Sequence, residues 1–154
     1  MRVLEARGIA YRATVYDASG DFHSAGQAAE LLGLPADAVY KTLVVMRDGA
    51  PAAKPLLVMV PAAEEADLKV LAAATGDKKP RMATRREAER LTGMRAGGIS
   101  ALGVRRPSAF EVLIDERARA LDRISISAGQ RGVEIDLRIE DLAALTGARF
   151  VSAT

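Results

Sequence analysis

Apolar positions recur along the chain with two distinct periods. Residues 3–9 carry apolar side chains around one helical turn that Gly8 ends, and the β-prone run 11–16 follows. Residues 25–32 place alanine and leucine at helical spacing directly after Ser24, a residue type that commonly caps a helix. The pattern therefore predicts a helix, a strand and a second helix in this order.

Farther along, short apolar runs alternate with helical patterns. Asp48-Gly49, a common turn dipeptide, separates the first two central runs. The predicted strands span residues 11–16, 40–46, 56–60, 110–114, 123–127, 133–137 and 149–152, and the later helices span 67–75, 84–93 and 139–145. Six or seven strands and four or five helices that do not alternate strictly predict one α/β domain over residues 1–154, of the mixed α+β kind, with helices around a mixed sheet.

Composition excludes much of enzyme chemistry. The 154 residues include no cysteine and one histidine, which rules out disulfides, a thiolate zinc site, a cysteine nucleophile and a multi-histidine metal site. We expect no metal and no cofactor. No run of 18 apolar residues and no leader-like segment is present in this sequence, so we expect a soluble cytoplasmic protein without membrane contact.

The net charge of +2 conceals a basic segment. Residues 78–106 contain nine basic side chains and two acidic ones, which makes the rest of the chain acidic. Such a segment is suited to phosphate groups, but an arginine-rich surface that only meets water has the same composition. Charge alone leaves both interpretations open.

Lys41 is a cation inside an apolar strand. Strand alternation puts Lys41, Leu43 and Val45 on one face and Tyr40, Thr42 and Val44 on the other. Near the start of a strand, a lysine can extend its ammonium group to water. The functional alternative is an ammonium group at the mouth of a pocket, facing an anion or a polarised carbonyl.

Two glycine-rich loops provide a second candidate feature. Residues 97–103 and 127–132 could bring backbone N–H groups close to a phosphate or a developing oxyanion, or they could simply form tight turns. Neither segment matches a dinucleotide-binding or P-loop fingerprint.

Other polar residues give weaker signals. His23, the single imidazole, is a candidate general base, although a surface histidine is the simpler interpretation. No G-x-S-x-G elbow exists, so we reject a serine triad. Glu134 and Asp136 share one face of a predicted strand, where they either form a solvated surface or pair with Lys41 or with arginines.

These segments together resemble one family. Tyr16-Asp17, residues 40–43 (Tyr-Lys-Thr-Leu), residues 97–103 and residues 126–132 resemble, in order and spacing, the YbaK/EbsC family of trans-acting aminoacyl-tRNA deacylases, which are relatives of the prolyl-tRNA synthetase editing domain. The resemblance covers nearly the whole chain. It implies a mixed sheet curled around a small pocket and a deacylase that removes cysteine from mischarged tRNA(Pro).

The resemblance also implies roles for particular residues. Lys41 matches the functionally essential lysine. The expected substrate-binding residues are Tyr16, Thr42, Gly97, Gly98, Ile99, Ser100, Ser127, Gly129 and Glu134. The basic segment would contact the tRNA acceptor stem, and we assign this role to Lys78, Lys79, Arg81, Arg85 and Arg86.

The resemblance implies a mechanism in which the thiol of the substrate cysteine attacks its own ester carbonyl; water and a ribose hydroxyl are the alternative nucleophiles. Prolyl-tRNA synthetase is a candidate partner, and the sequence does not indicate an oligomeric state. Three other functions remain open. They are a non-catalytic module that binds aminoacyl-tRNA or a nucleotide, a deacylase for another amino acid such as alanine, and a hydrolase of free amino-acid esters.

Overall fold

The computed structural model describes residues 2–17, 19, 25–48 and 53–154. Five α-helices are present in this part of the chain: α1 (Arg2–Ala6), α2 (Ala25–Leu32), α3 (Leu68–Thr75), α4 (Arg85–Thr92) and α5 (Ile139–Thr146). The strands are β1 (Tyr11–Val15), β2 (Tyr40–Met46), β3 (Leu56–Pro61), β4 (Arg81–Met82), β5 (Glu111–Asp115), β6 (Arg123–Ser127), β7 (Val133–Arg138) and β8 (Arg149–Val151). Short 3-10 turns occupy Ala36–Ala38, Pro107–Ala109 and Glu116–Ala120.

The strands form two sheets that meet at one point. The larger sheet has the order β4-β2-β3-β5-β8, with β5 parallel to both of its neighbours, and the smaller sheet has the order β1-β7-β6 with antiparallel pairs. A parallel bridge between Val39 and Ser125 joins the start of β2 to the middle of β6. The prediction of a mixed sheet surrounded by helices is therefore confirmed. The bridge fixes where the smaller sheet joins the larger one.

Two apolar clusters lie on opposite faces of the larger sheet. The main core includes Leu57, Met59 and Ile114 from the larger sheet and Ile126 and Ile135 from the smaller one, all essentially inaccessible to solvent. The second cluster lies beneath α3 and consists of Val45, Leu56, Val58, Val60, Leu71, Leu113 and Ala153. Burial of apolar area at about 25 cal/mol per Å² is the main stabilising contribution of these clusters.

Local signals fixed the ends of two helices, as the sequence predicts. Asp67 accepts hydrogen bonds from the N–H groups of Lys69 and Val70 at the start of α3, and Gly76 ends this helix in the left-handed conformation at φ +78°. Thr84 and Glu87 form a capping box at the start of α4.

The two-residue strand β4 was not predicted. It pairs with the end of β2, where Val45 opposes Met82. Two residues carry too little periodicity to indicate a strand, so this pairing depends on tertiary contact alone. Among the described residues, no helix combines the length and apolar character needed to cross a membrane.

Candidate functional site

Lys41 lies on the face of β2 that the alternation predicts. Tyr40 and Val44 belong to the main core on one face, whereas Val45 belongs to the cluster beneath α3 on the other, the face that carries Lys41. The Lys41 side chain is 23% exposed, and its Nζ lies 3.5 Å from a carboxylate oxygen of Glu65, which is 94% exposed. A pair with so exposed a partner contributes little stability, so the ammonium group can exchange this contact for an anionic ligand.

Three polar residues lie close to the point where the two sheets join. Val39, just before β2, forms a single parallel bridge with Ser125 of β6; Lys41 follows Val39 by two residues and Ser127 follows Ser125 by two residues. Ser127 opposes Glu134 in the antiparallel pair of β6 and β7. We call Lys41, Ser127 and Glu134 the site row.

Glu134 is a buried carboxyl group rather than part of a solvated surface. Its side chain accepts a hydrogen bond from Ser125 Oγ at 3.2 Å, and the residue is 7% exposed. Burial raises its pKa to about 7, against the opposing effect of the Ser125 hydrogen bond. The solvated-face interpretation is therefore wrong for Glu134, because β6 and its neighbours cover the carboxyl group.

The pairings proposed for the two acidic residues have separate outcomes. Asp136 forms an ion pair with Arg123, as the arginine alternative predicted. Glu134 does not pair with Lys41, because the ammonium group contacts Glu65 and the Glu134 carboxyl group contacts Ser125. The cation and the buried carboxyl group thus stand at opposite ends of the site row.

Tyr16 joins this face, and Thr42 does not. The Tyr16 N–H donates to the carbonyl of Gly132 at 2.8 Å, and burial raises the pKa of the phenol, with the nearby Glu134 carboxylate adding to the rise. Thr42 follows Lys41 in the strand, so its side chain lies on the opposite face of β2. The resemblance implied that Thr42 lines the site, but its side chain points away from the face that carries Lys41.

The two glycine-rich loops pack directly against each other. A methyl group added at Gly98 would lie 2.8 Å from backbone atoms of Gln130 and Arg131. At Gly103 it would lie 2.6 Å from the Met94 sulfur and 3.5 Å from the Cα atom of Gly129. Close backbone approach therefore explains these glycines, and the packing fixes both loops beside the end of β6.

Only some of the loop N–H groups are available to a ligand. Gly98 N–H donates to the Arg95 carbonyl at 2.9 Å, and Gly129 N–H donates to Ser127 Oγ at 3.3 Å. Ser100 is fully buried, and its Oγ accepts from Leu102 N–H. The N–H groups of Gly97 and Ile99 have no hydrogen-bond acceptor in the described part of the chain, and neither residue is fully buried, so both are candidate donors to an oxyanion.

The basic segment divides into paired and unpaired side chains. Arg81 forms a bidentate pair with Glu87, whose pKa this hydrogen bonding lowers to about 2, and Arg85 pairs with Glu89. The other predicted tRNA contacts are exposed, and within the described ranges none lies within 4.0 Å of a carboxylate: Lys78, Lys79 and Arg86.

One candidate from the sequence lies outside the described residues, and the structure adds two residues that the sequence reasoning missed. His23 lies outside the described residues. Among those that are described, no group of three or more potential ligands could hold a metal ion. Ser125 was missed, although its place two residues before Ser127 on a strand puts it on the face of Glu134. Glu65 carried no signal, because only the tertiary fold brings it to Lys41.

Comparison with known proteins connects this geometry to a family. The family model for the aminoacyl-tRNA editing domain matches residues 20–145. A candidate Cys-tRNA(Pro)/Cys-tRNA(Cys) deacylase, EbsC of Enterococcus faecalis, is 34% identical over 154 residues, which cover 100% of this chain and 91% of that protein.

Two solved structures extend the comparison. The crystal structure of a candidate trans-editing enzyme for prolyl-tRNA synthetase superposes with a TM-score of 0.83 at 25% identity, covering 99% of this chain and 92% of that one. A hypothetical protein of known structure shares the fold with a TM-score of 0.84 at 22% identity, covering 99% and 96%. The family match, the identity over the full length and the shared fold agree: this chain belongs to the aminoacyl-tRNA editing domain family.

Proposed function

We propose that this protein is a trans-acting deacylase that removes cysteine from mischarged tRNA(Pro). The family supports an aminoacyl-tRNA as the substrate class, and the name of the Enterococcus relative supports cysteine and tRNA(Pro). The observation that carries the proposal is the site row, in which a partly buried ammonium group on β2 and a buried carboxyl group on β7 both lie on the side of their strands that faces away from the main core.

In this proposal, each end of the row binds one part of the aminoacyl group. The ester carbonyl lies toward Lys41, whose ammonium group stabilises the negative charge that develops on the carbonyl oxygen. The N–H groups of Gly97 and Ile99 supply further donors. The α-ammonium group of the amino acid lies toward Glu134. It would supply the positive charge that an ionised Glu134 carboxylate lacks in the free protein.

The remaining predicted contacts complete the walls of this pocket. Tyr16 lies near Glu134, and Ser127 lies between the two ends of the row. Gly98 and Gly129 allow the two loops to approach closely, and Gly97 adjoins Gly98 in the first loop. Thr42 takes part only through its backbone in this arrangement, since its side chain lies on the other face of β2.

The nucleophile in the proposed reaction is the thiol of the substrate. Its thiolate attacks the ester carbonyl carbon and forms a C–S bond. The C–O bond to the ribose then breaks, and the ribose oxygen takes up a proton. The products are free tRNA and a four-membered cyclic thioester, which water opens to cysteine. A thiol with a pKa of about 8.5 is partly ionised near neutral pH, and the adjacent Lys41 ammonium group would raise that fraction.

Chemical selection of this kind adds to selection by size. A pocket that distinguishes one methylene group gains only about 1–3 kcal/mol. A reaction that needs the thiol of the substrate excludes alanine and proline regardless of fit. We place this reaction in the cytoplasm, with prolyl-tRNA synthetase as a proposed source of the mischarged tRNA.

A panel of charged tRNAs tests the proposal. We expect the protein to deacylate tRNA(Pro) charged with Cys much faster than the same tRNA charged with Ala, Ser or Pro. Preference for alanine would overturn the assignment of cysteine and the thiol mechanism with it. Binding of all four substrates without release of amino acid would identify a non-catalytic binding module and overturn the proposal as a whole.

A further inference from the structure

A cavity lies away from the site row, at the opposite end of β3. Its volume is about 410 Å³, within the range of small-ligand sites. Apolar side chains form its floor and arginines form its rim. The residues that matter for recognition are Pro55, Arg90, Leu91, Arg105, Arg106 and Phe110. We call this feature the arginine cavity.

The three arginines of this cavity have no acidic partner in the described ranges. No carboxylate there lies within 4.0 Å of Arg90, Arg105 or Arg106, and all three are exposed. Arg81 and Arg85, on the same basic segment, both form ion pairs with glutamates. Outside the described residues the sequence has one acidic residue, Asp21. Within the described ranges, three of the seven basic side chains of the segment that form no ion pair thus surround one concave surface.

A continuous series of contacts connects the arginine cavity to the site row. The Arg105 Nε atom lies 3.8 Å from the position of a methyl group on Gly93. The next residue, Met94, packs against Gly103 and Gly129, and Gly129 N–H bonds to Ser127 of the site row. A strand of RNA that leaves the site row therefore has the glycine loops as a surface leading toward the cavity.

The sheet gives the separation between the two sites. Lys41 opposes Val60 on β3, and Pro55 immediately precedes the same strand. Five residues of strand span about 17 Å. A stacked nucleic-acid strand rises about 3.4 Å per nucleotide, so this span corresponds to about five nucleotides. Counting from the aminoacylated end, the cavity lies where the unpaired 3′ end of a tRNA joins its acceptor stem.

We propose that the arginine cavity binds one nucleotide of the tRNA acceptor strand, about five nucleotides from the aminoacyl end. Arginines pair with phosphate oxygens through two parallel hydrogen bonds, and their planes stack on exposed bases. The floor of Leu91 and Phe110 packs against the sugar or base. The identity of this RNA rests on the proposed function, whereas the preference for a nucleotide rests on the cations and the apolar floor.

Binding of uncharged RNA provides the test. The probe is a fluorescently labelled acceptor-stem minihelix of tRNA(Pro) with its unpaired 3′ end, titrated by anisotropy between about 50 and 200 mM salt. The variant is Arg105→Gln/Arg106→Gln. The matched control is Arg2→Gln/Arg7→Gln, which removes the same charge from the N-terminal segment. Circular dichroism melting curves verify that both variants are folded.

We expect the cavity variant to bind the minihelix at least about tenfold more weakly, with the slope of log K against log salt reduced by about two. The control should change both quantities by less than half as much. A labelled trinucleotide with the 3′-terminal sequence should bind wild type and cavity variant equally, because it is too short to reach the cavity. Equal minihelix affinity and slope for the cavity variant, or an equal loss in the control, would overturn the inference.

The outcomes also separate this inference from the proposed function. A smaller salt slope in the cavity variant together with no deacylation of any charged tRNA would support the nucleotide site and reject the deacylase. Deacylation of Cys-tRNA(Pro) together with an unchanged salt slope would reject the nucleotide site alone. Loss of binding to an acidic peptide, with minihelix binding unchanged, would assign the cavity to a protein partner and contradict the inference.

Discussion

Replacing Glu134 by glutamine should remove a pH-dependent cost of folding. The carboxyl group has a pKa of about 7 in the folded protein and an ordinary value of 4.5. Because the folded state binds its proton more tightly, stability is greatest below the ordinary pKa and declines as the pH rises toward and through 7. Linkage between the two values gives a loss of about 2–3 kcal/mol between pH 5 and pH 8.

Urea denaturation of wild type and Glu134→Gln at pH 5, 6, 7 and 8 measures this effect. We expect the free energy of unfolding of the variant to rise relative to wild type by about 2–3 kcal/mol across that range, because the amide keeps the size of the side chain and the hydrogen bond with Ser125 but cannot ionise. Parallel pH profiles for the two proteins would refute the burial argument. The same variant should raise the KM for Cys-tRNA(Pro) about tenfold or more if the carboxylate binds the α-ammonium group.

Three further substitutions test the packing of the C-terminal segment and of the glycine-rich loops. Asp115→Ala should lower the free energy of unfolding by about 3 kcal/mol in urea, because this buried carboxylate accepts hydrogen bonds from Ala153 N–H at 3.1 Å and Thr154 Oγ at 3.0 Å; a loss below 1 kcal/mol would show that it does not hold the C-terminal segment. Gly98→Ala should reduce deacylation and stability together, since the added methyl group would lie 2.8 Å from the opposing loop. Gly76→Ala is its control. The methyl group added there meets no atom within 4 Å, so this variant should reduce stability alone. Equal deacylation by these two glycine variants would contradict the proposed role of loop packing.

Periodicity was sufficient to predict most elements and the face of Lys41. The strand around Lys41 alternates clearly, so the sequence predicts which of its residues share a face. The apolar cluster on each face contains the residues that this alternation assigns to it. The caps of α3 and α4 were equally local, because Asp67 and Thr84 bond to groups two or three residues away.

The environment of Glu134 could not be predicted in the same way. Glu134 and Asp136 alternate with apolar residues along β7, and alternation by itself indicates a solvated face. Glu134 is buried because Ser125 of β6 and Tyr16, which follows β1, lie near it, and the join at Val39 brings the start of β2 to the same region. The contact between Lys41 and Glu65 and the concave arrangement of the arginines likewise depend on tertiary packing between distant segments.

The most direct test of the central claim is the single-turnover rate of Cys-tRNA(Pro) deacylation by Lys41→Ala, beside Lys69→Ala as a control that removes an exposed lysine from α3. Loss of one group that stabilises a developing oxyanion costs about 10²–10³ in rate. We expect that loss for Lys41→Ala with an unchanged melting temperature, and a rate within about twofold of wild type for the control. A wild-type rate for folded Lys41→Ala would contradict the account.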